Sequence, residues 1–171
     1  MKRLLTISAL FCTLFVQAQI KATSAQERLK TIDQRKQLLS RSTLNETGFR
    51  NIGPSIMSGR VVDIEVNPQD PTEFYVAYAS GGLWHTKNNG QSFAPIFDSV
   101  DVLTIGDIAV NWQIRHIWVG TGEGNPRNSQ NFGNGIYKSI DGGKTWKRTL
   151  FANADAGAVD LCFDPNNPRI L

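Results

Sequence analysis

The sequence has few cysteines, histidines and charged residues, which disulfides, metal sites and strongly charged binding surfaces require. It contains 2 cysteines and 2 histidines in 171 residues, 19% of the residues are charged, and the net charge is +3. Cys12 lies in the N-terminal apolar run, so Cys162 is the one cysteine expected after processing, and no internal disulfide can form. His85 and His116 are not spaced as zinc ligands. We therefore expect no metal, no cofactor and no nucleic-acid partner.

A long hydrophobic run is also missing. The apolar run over 4–16 is too short to span a bilayer, which needs about 20 residues. Lys2 and Arg3 precede it and Ala18 follows it, an order that is typical of a secretory signal peptide. The sequence therefore predicts a signal peptide over 1–19, no transmembrane segment, and export to the periplasm, the cell surface or the medium. A retained N-terminal anchor is the alternative.

The segment after the signal peptide has the pattern of a helix. Residues 24–41 contain no Gly or Pro, and Ser24 and Glu27 have the spacing of a capping box. The apolar stripe of this segment is narrow. We predict a helical linker over 20–47 that lies on or ahead of the main domain.

Beyond residue 48 the chain consists of similar units rich in short β segments. Asp63, Asp107 and Asp160 take the same place in three aligned segments, which predicts a repeat. Each complete unit has four predicted strands separated by turn residues. These strands are expected at 61–66, 74–79, 82–86 and 92–96, and then at 105–110, 116–120, 135–139 and 145–149.

Four short antiparallel strands per repeat are typical of a propeller blade. We predict an all-β fold, a partial β-propeller over 48–171, with blades at 48–97 and 98–151 and the start of a third at 152–171. The third unit would begin with an inner strand at 159–163, in which Cys162 is expected to be buried and unpaired. Trp112 lies in a turn and is the tryptophan that we expect to be most exposed.

The hairpin between the third and fourth strands of each unit contains an Asp-box pattern, which is complete in the second unit and relaxed in the first. A carboxylate or amide oxygen in such a hairpin accepts backbone N–H bonds, Gly permits a positive φ, and the aromatic residue packs into the sheet. We therefore expect these residues to be structural: Thr86, Asn88, Gly90, Ser92 and Phe93 in the first unit, and Ser139, Asp141, Gly143, Thr145 and Trp146 in the second.

The sequence resembles the exported bacterial proteins with sortilin-like Asp-box propellers, which are often labelled BNR-repeat or glycosyl hydrolase proteins. The matching segments are 49–54, 58–64, 79–84 and 120–129. The resemblance implies a propeller of many blades. We accordingly expect this chain to be an N-terminal fragment whose partners include the remaining blades downstream.

One loop distinguishes the second unit from the first. About ten additional residues, polar and rich in Gly, separate its second and third strands, and such loops often bind ligands. In an antiparallel meander this loop lies at the end opposite the Asp box, where the chain also enters the first strand. We therefore predict that Arg60, Glu123, Arg127 and Asn128 form a ligand-binding site, in which the guanidinium groups of Arg60 and Arg127 suit a carboxylate or phosphate. The alternative is an internal salt bridge between Glu123 and an Arg that only orders the loop.

Two functions follow from these observations. The first is binding of a peptide or carbohydrate ligand by an exported propeller domain that has no catalysis of its own. The alternative implied by the resemblance is a glycoside hydrolase of the xyloglucanase-like type, which needs two carboxyl groups about 5 to 10 Å apart. Ala79 stands where those relatives have one catalytic Asp, so we assign no catalytic residue in this chain.

Overall fold

A computed structural model describes residues 23–47, 59–124, 131–164, 167 and 170–171. The predicted signal peptide over 1–19 lies outside the described residues, as do Arg127 and Asn128. Within the described part of the chain, no helix has the length and apolar character needed to cross a membrane.

The predicted helix is present as α1, Ala25–Arg41, and a short 3-10 helix follows at Thr43–Glu46. The capping box is confirmed: the Glu27 backbone N–H donates to Ser24 Oγ, and the Ser24 backbone N–H donates to Glu27 Oε2. No residue of α1 is buried. Ion pairs attach it to the rest of the chain, because Arg28 pairs with Asp155 and Lys36 pairs with Asp101.

The remainder of the fold is mostly β, which confirms the predicted all-β class. Eight strands form two antiparallel four-stranded sheets with the orders β1-β2-β3-β4 and β5-β6-β7-β8. Their ends differ slightly from the predicted ones, because Ser92 and Thr145 hydrogen-bond within their turns instead of extending β4 and β8. The strands of the first sheet are β1 Val61–Val66, β2 Phe74–Tyr78, β3 Gly82–Thr86 and β4 Ala94–Pro95, and those of the second are β5 Ile105–Asn111, β6 His116–Thr121, β7 Ile136–Ser139 and β8 Lys147–Leu150.

The two sheets share an irregularity at equivalent positions. The register of the β1–β2 pair shifts between Val61 and Asp63, and that of the β5–β6 pair shifts between Ile105 and Asp107. A bulge of this kind bends and twists the strand locally. The two repeated units therefore have the same backbone irregularity as well as the same strand order.

A hydrophobic core joins the two sheets. Tyr75 and Leu83 of the first sheet and Ile108 and Val119 of the second belong to one cluster of buried side chains. Phe97, on the connection between the sheets, is fully buried and packs edge to face against Trp146 with a centroid separation of 4.9 Å. Burial of this apolar surface from both sheets fixes their relative position.

Two predictions for the segment after the second sheet are wrong. Residues 159–163 do not form a strand, and Cys162 is exposed rather than buried. A strand forms where a neighbouring strand accepts and donates its backbone hydrogen bonds. Here the described contacts with the second sheet include a single bridge between Ala158 and Glu123, a bond from the Leu161 N–H to Asp107 Oδ2 and an edge-to-face contact of Phe163 with Trp118.

Candidate functional site

The predicted binding residues Arg60 and Glu123 come together in an ion pair. Arg60 immediately precedes β1, and Glu123 follows β6 at the start of the inserted loop. Arg60 Nη2 pairs with Glu123 Oε1, while Asn131 Nδ2 donates to Glu123 Oε2 over 3.4 Å. The Glu123 side chain is fully buried and the Arg60 side chain is 43% exposed. The buried Glu123 carboxylate therefore binds the Arg60 guanidinium, and Arg60 is the member of the pair that faces solvent.

The backbone around Glu123 is held by its neighbours. The Glu123 N–H donates to the Asn131 carbonyl, and the Gly122 N–H donates to the Thr104 carbonyl. Gly122 has a φ of 87°, and a Cβ there would lie 2.5 Å from the Gly133 backbone nitrogen. A side chain at position 122 does not fit, so the glycine permits the close approach of the two ends of the loop.

Arg60 and Glu123 lie at the end of the sheets that is opposite the Asp boxes. The Ala79 N–H, just after β2, donates to the Arg60 carbonyl. The end of β2 thus lies beside Arg60, whereas the Asp-box hairpins join β3 to β4 and β7 to β8 at the other end. This placement agrees with the predicted meander.

Several hydrogen bonds are equivalent in the two Asp-box hairpins. Asn88 Oδ1 accepts from the Ser92 N–H, and Asp141 Oδ1 accepts from the Thr145 N–H. The glycine N–H donates to the first hydroxyl of each box, over 3.0 Å in the first and 2.8 Å in the second. The glycines Gly90 and Gly143 have φ angles of 79° and 91°. Phe93 packs against Phe74 and Trp146 against Phe97, so the aromatic residues face the sheets.

A buried polar network that the sequence analysis missed joins the sheets at the Asp-box end. The side chain of Glu73 is 7% exposed and accepts hydrogen bonds from Asn67 and Arg115, with His85 Nε2 3.0 Å from Oε1. Burial alone would raise the pKa of Glu73, but the bonds from Arg115, Asn67 and His85 outweigh it and lower the pKa to about 2. Glu73 is therefore ionised at neutral pH. The pairing residues are distant in sequence, which is why no local pattern predicted it.

A second group of carboxylates lies between the first strands of the two sheets. Burial, and then the charge of Asp63, raise the pKa of Glu65 to about 7. Burial and Asp63 also raise the pKa of Asp107 to about 6, although the Leu161 N–H bond opposes this shift. Burial, together with the neighbouring negative charge, disfavours the ionised forms of Glu65 and Asp107, so these two carboxyl groups bind protons more tightly in the folded chain than when unfolded.

Trp112, which we expected to be the most exposed tryptophan, is half-buried, as are the other three tryptophans. Its ring stacks on Tyr75 with a centroid separation of 5.1 Å, and it packs against the core. Stacking on Tyr75 covers one face of the ring although Trp112 lies in a turn. In the part of the chain that the structure describes, no group of three or more His, Cys, Asp or Glu side chains is arranged to hold a metal ion.

No protein-family model matches this chain, and no curated protein matches it.

Proposed function

We propose that this protein is an exported β-propeller domain that binds the anionic group of a peptide or a glycan through Arg60. The two sheets would be successive blades. Their common strand order, the bulges before Asp63 and Asp107 and the equivalent hydrogen bonds of the two Asp boxes support this proposal. Support for export comes from the N-terminal sequence, in which a charged region precedes a short apolar run.

The ion pair between Arg60 and Glu123 carries the binding proposal. Removing one member of a buried ion pair destabilises a protein by about 3–5 kcal/mol, because the other charge is left buried without a partner. Glu123 is fully buried, so it strongly favours the position in which the Arg60 guanidinium lies against it. The side chain of Arg60 is therefore ordered before a ligand arrives, which reduces the entropic cost of binding.

The exposed part of Arg60 suits a planar anion. A guanidinium has five N–H donors in a rigid fork, and the contact with Glu123 involves Nη2. The remaining donors can form paired hydrogen bonds to a carboxylate or a phosphate. An acidic side chain of a peptide and an acidic sugar both supply such a group, and a neutral glycan does not.

The hydrolase alternative has less support. A general acid must reach the glycosidic oxygen. Glu123 is fully buried and paired with Arg60, so its carboxylate faces the protein instead of a cleft. Ala79, which occupies the place of the relatives' catalytic Asp, has 0% exposure and no ionisable group.

The test uses variants that separate binding from stability. Arg60→Gln alone would leave Glu123 buried without a cation, so the informative variant is the double substitution Arg60→Gln/Glu123→Gln, which replaces the charged pair by two amides that can still hydrogen-bond. Lys87→Gln, which removes one exposed cation at the Asp-box end, is the control. Each protein is measured against acidic and neutral oligosaccharides and against peptides with and without acidic residues.

We expect the wild type to bind acidic members of one ligand class. The double variant should lose at least about tenfold in affinity, the value of one charge-assisted contact, while its Tm stays close to that of the wild type. Lys87→Gln should bind normally. Unchanged affinity in the double variant would show that the ion pair only orders the loop.

A further inference from the structure

A cavity lies between α1 and the second sheet. It is an open cleft of about 460 Å³, within the range of small-molecule sites. It shares no lining residue with the Arg60 and Glu123 pair. Its walls are formed by Lys36, Ser99, Val100, Asp101, Tyr137, Trp146 and Arg148.

A buried chain of hydrogen bonds supports one wall of this cleft. Arg148 Nη1 donates to Asn134 Oδ1 over 2.6 Å, and Asn134 Nδ2 donates to the Tyr137 hydroxyl over 2.9 Å. Asn134 and Tyr137 are 4% and 6% exposed. Burial, followed by the charge of Asp101, raises the pKa of Tyr137, so its hydroxyl stays protonated. Since that oxygen accepts from Asn134, the hydroxyl keeps its own proton for a ligand.

The charges of the cleft leave one cation available. Lys36 Nζ lies 3.0 Å from Asp101 Oδ2, so these two groups neutralise each other. Arg148 has no carboxylate partner among the described residues, and its guanidinium stacks over the Phe151 ring at 4.4 Å. Stacking holds the guanidinium plane in a defined orientation. The cleft therefore has one positive charge that no carboxylate neutralises, on Arg148, and the hydrogen-bond donors that are needed to bind one carboxylate.

We propose that this cleft binds a sugar acid, a monosaccharide that carries one carboxylate. The carboxylate accepts from the Arg148 guanidinium and the Tyr137 hydroxyl. Asp101 and Ser99 supply an acceptor and a hydroxyl for the sugar's hydroxyl groups, and Trp146 supplies an aromatic wall for the ring. The site goes beyond the Arg60 proposal, because it uses different residues and does not require that proposal to hold.

The experiment titrates the full chain with three probes by NMR or calorimetry. Glucuronate has both the carboxylate and the hydroxyls, glucose has the hydroxyls without the charge, and acetate has the charge without the hydroxyls. Arg148→Gln removes the cation, and Tyr137→Phe removes the hydroxyl while keeping the buried ring. Lys147→Gln is the matched control, because alternation along β8 places Lys147 on the opposite face from Arg148.

We expect saturable glucuronate binding that perturbs residues 99–101, 137 and 148, with much weaker responses to glucose and to acetate. Arg148→Gln and Tyr137→Phe should each weaken glucuronate binding, the first by at least about tenfold, with folding confirmed by Tm. Lys147→Gln should bind as the wild type does, and Arg60→Gln/Glu123→Gln should leave the glucuronate-induced perturbation of residues 99–101, 137 and 148 unchanged. Equal binding of glucose, unchanged affinity in Arg148→Gln, or no saturable glucuronate binding would overturn the proposal. Loss of binding in the Arg60 double variant alone would place glucuronate at the Arg60 site instead.

Discussion

Arg115 of the second sheet's first turn donates to Glu73 of the first sheet, with 2.6 Å between Nη1 and Oε1. Arg115 has a φ of 57°, a conformation that is uncommon for a residue other than Gly, Asn or Asp. Glu73 is buried and also accepts from Asn67. This contact connects the two sheets at one end, and the core connects them along their length.

The first prediction concerns this contact. Glu73→Gln, Arg115→Gln and the double variant form a cycle in which unfolding by urea gives the coupling energy. Because the pair is charge-assisted and Glu73 is buried, we expect a coupling of about 1–3 kcal/mol. A coupling near zero would mean that Arg115 remains solvated and that the core alone holds the sheets together.

The second prediction concerns the carboxylates between β1 and β5. The pKa of Glu65 rises from 4.5 to about 7, so the folded chain holds this proton more tightly than the unfolded chain. Its contribution to stability is therefore complete below pH 4.5 and is lost as the pH rises through about 7.

Glu65→Gln keeps a neutral side chain of similar shape at every pH. We expect this variant to gain about 1–2 kcal/mol relative to the wild type between pH 4 and pH 8, as measured by urea unfolding at several pH values. Glu46→Gln, at an exposed position, serves as the matched control for the substitution itself. A gain that does not depend on pH would disprove the shifted titration.

The third prediction uses the difference between the two Asp boxes. The Thr145 hydroxyl, the Thr145 N–H and the Lys144 N–H donate to Asp141, and these bonds lower the pKa of Asp141, the Thr145 hydroxyl most strongly. Asn88 performs the equivalent task with an amide oxygen. Asp141→Asn should therefore lower Tm less than Asp141→Ala, and neither should change affinity for a ligand at Arg60. Equal losses of Tm in the two variants would show that the carboxylate charge is essential.

The fourth prediction concerns Cys162, which is exposed. In a Cys12→Ser background the thiol of Cys162 should react with a bulky aromatic disulfide reagent without denaturant, and the extent of labelling should reach one per chain. Protection until the chain is unfolded would indicate that the segment around Cys162 is covered.

The helix, the strands and the two box hairpins could be predicted because their patterns are local. The capping box depends on residues three positions apart, and the box hydrogen bonds join residues two to four apart. Turn residues and the alternation of apolar and polar side chains along a strand also act over a few positions in the sequence. The convergence of Arg60 with Glu123 could also be predicted, because an antiparallel meander decides which connections share an end.

Predictions from local sequence patterns were wrong where the structure of a segment depended on residues elsewhere in the fold. Residues 159–163 have the alternation of an inner strand, but no strand within the described residues pairs with them. Cys162 lies in the same apolar run, but its side chain is exposed. Burial and pairing are properties of the neighbourhood in space, which alternation along the chain does not specify.

The amino-acid sequence by itself determined the all-β class, the repeat and the two Asp-box hairpins, because turn residues and alternating side chains act on neighbouring positions. The tertiary structure alone decided that Glu123 is buried beneath an exposed Arg60, that Glu73 binds Arg115, and that Lys36 and Arg148 share a cleft. Each of these contacts joins residues more than forty positions apart. Whether such charges are paired or free depends on how the packed sheets exclude water, and that is decided only when the whole core assembles.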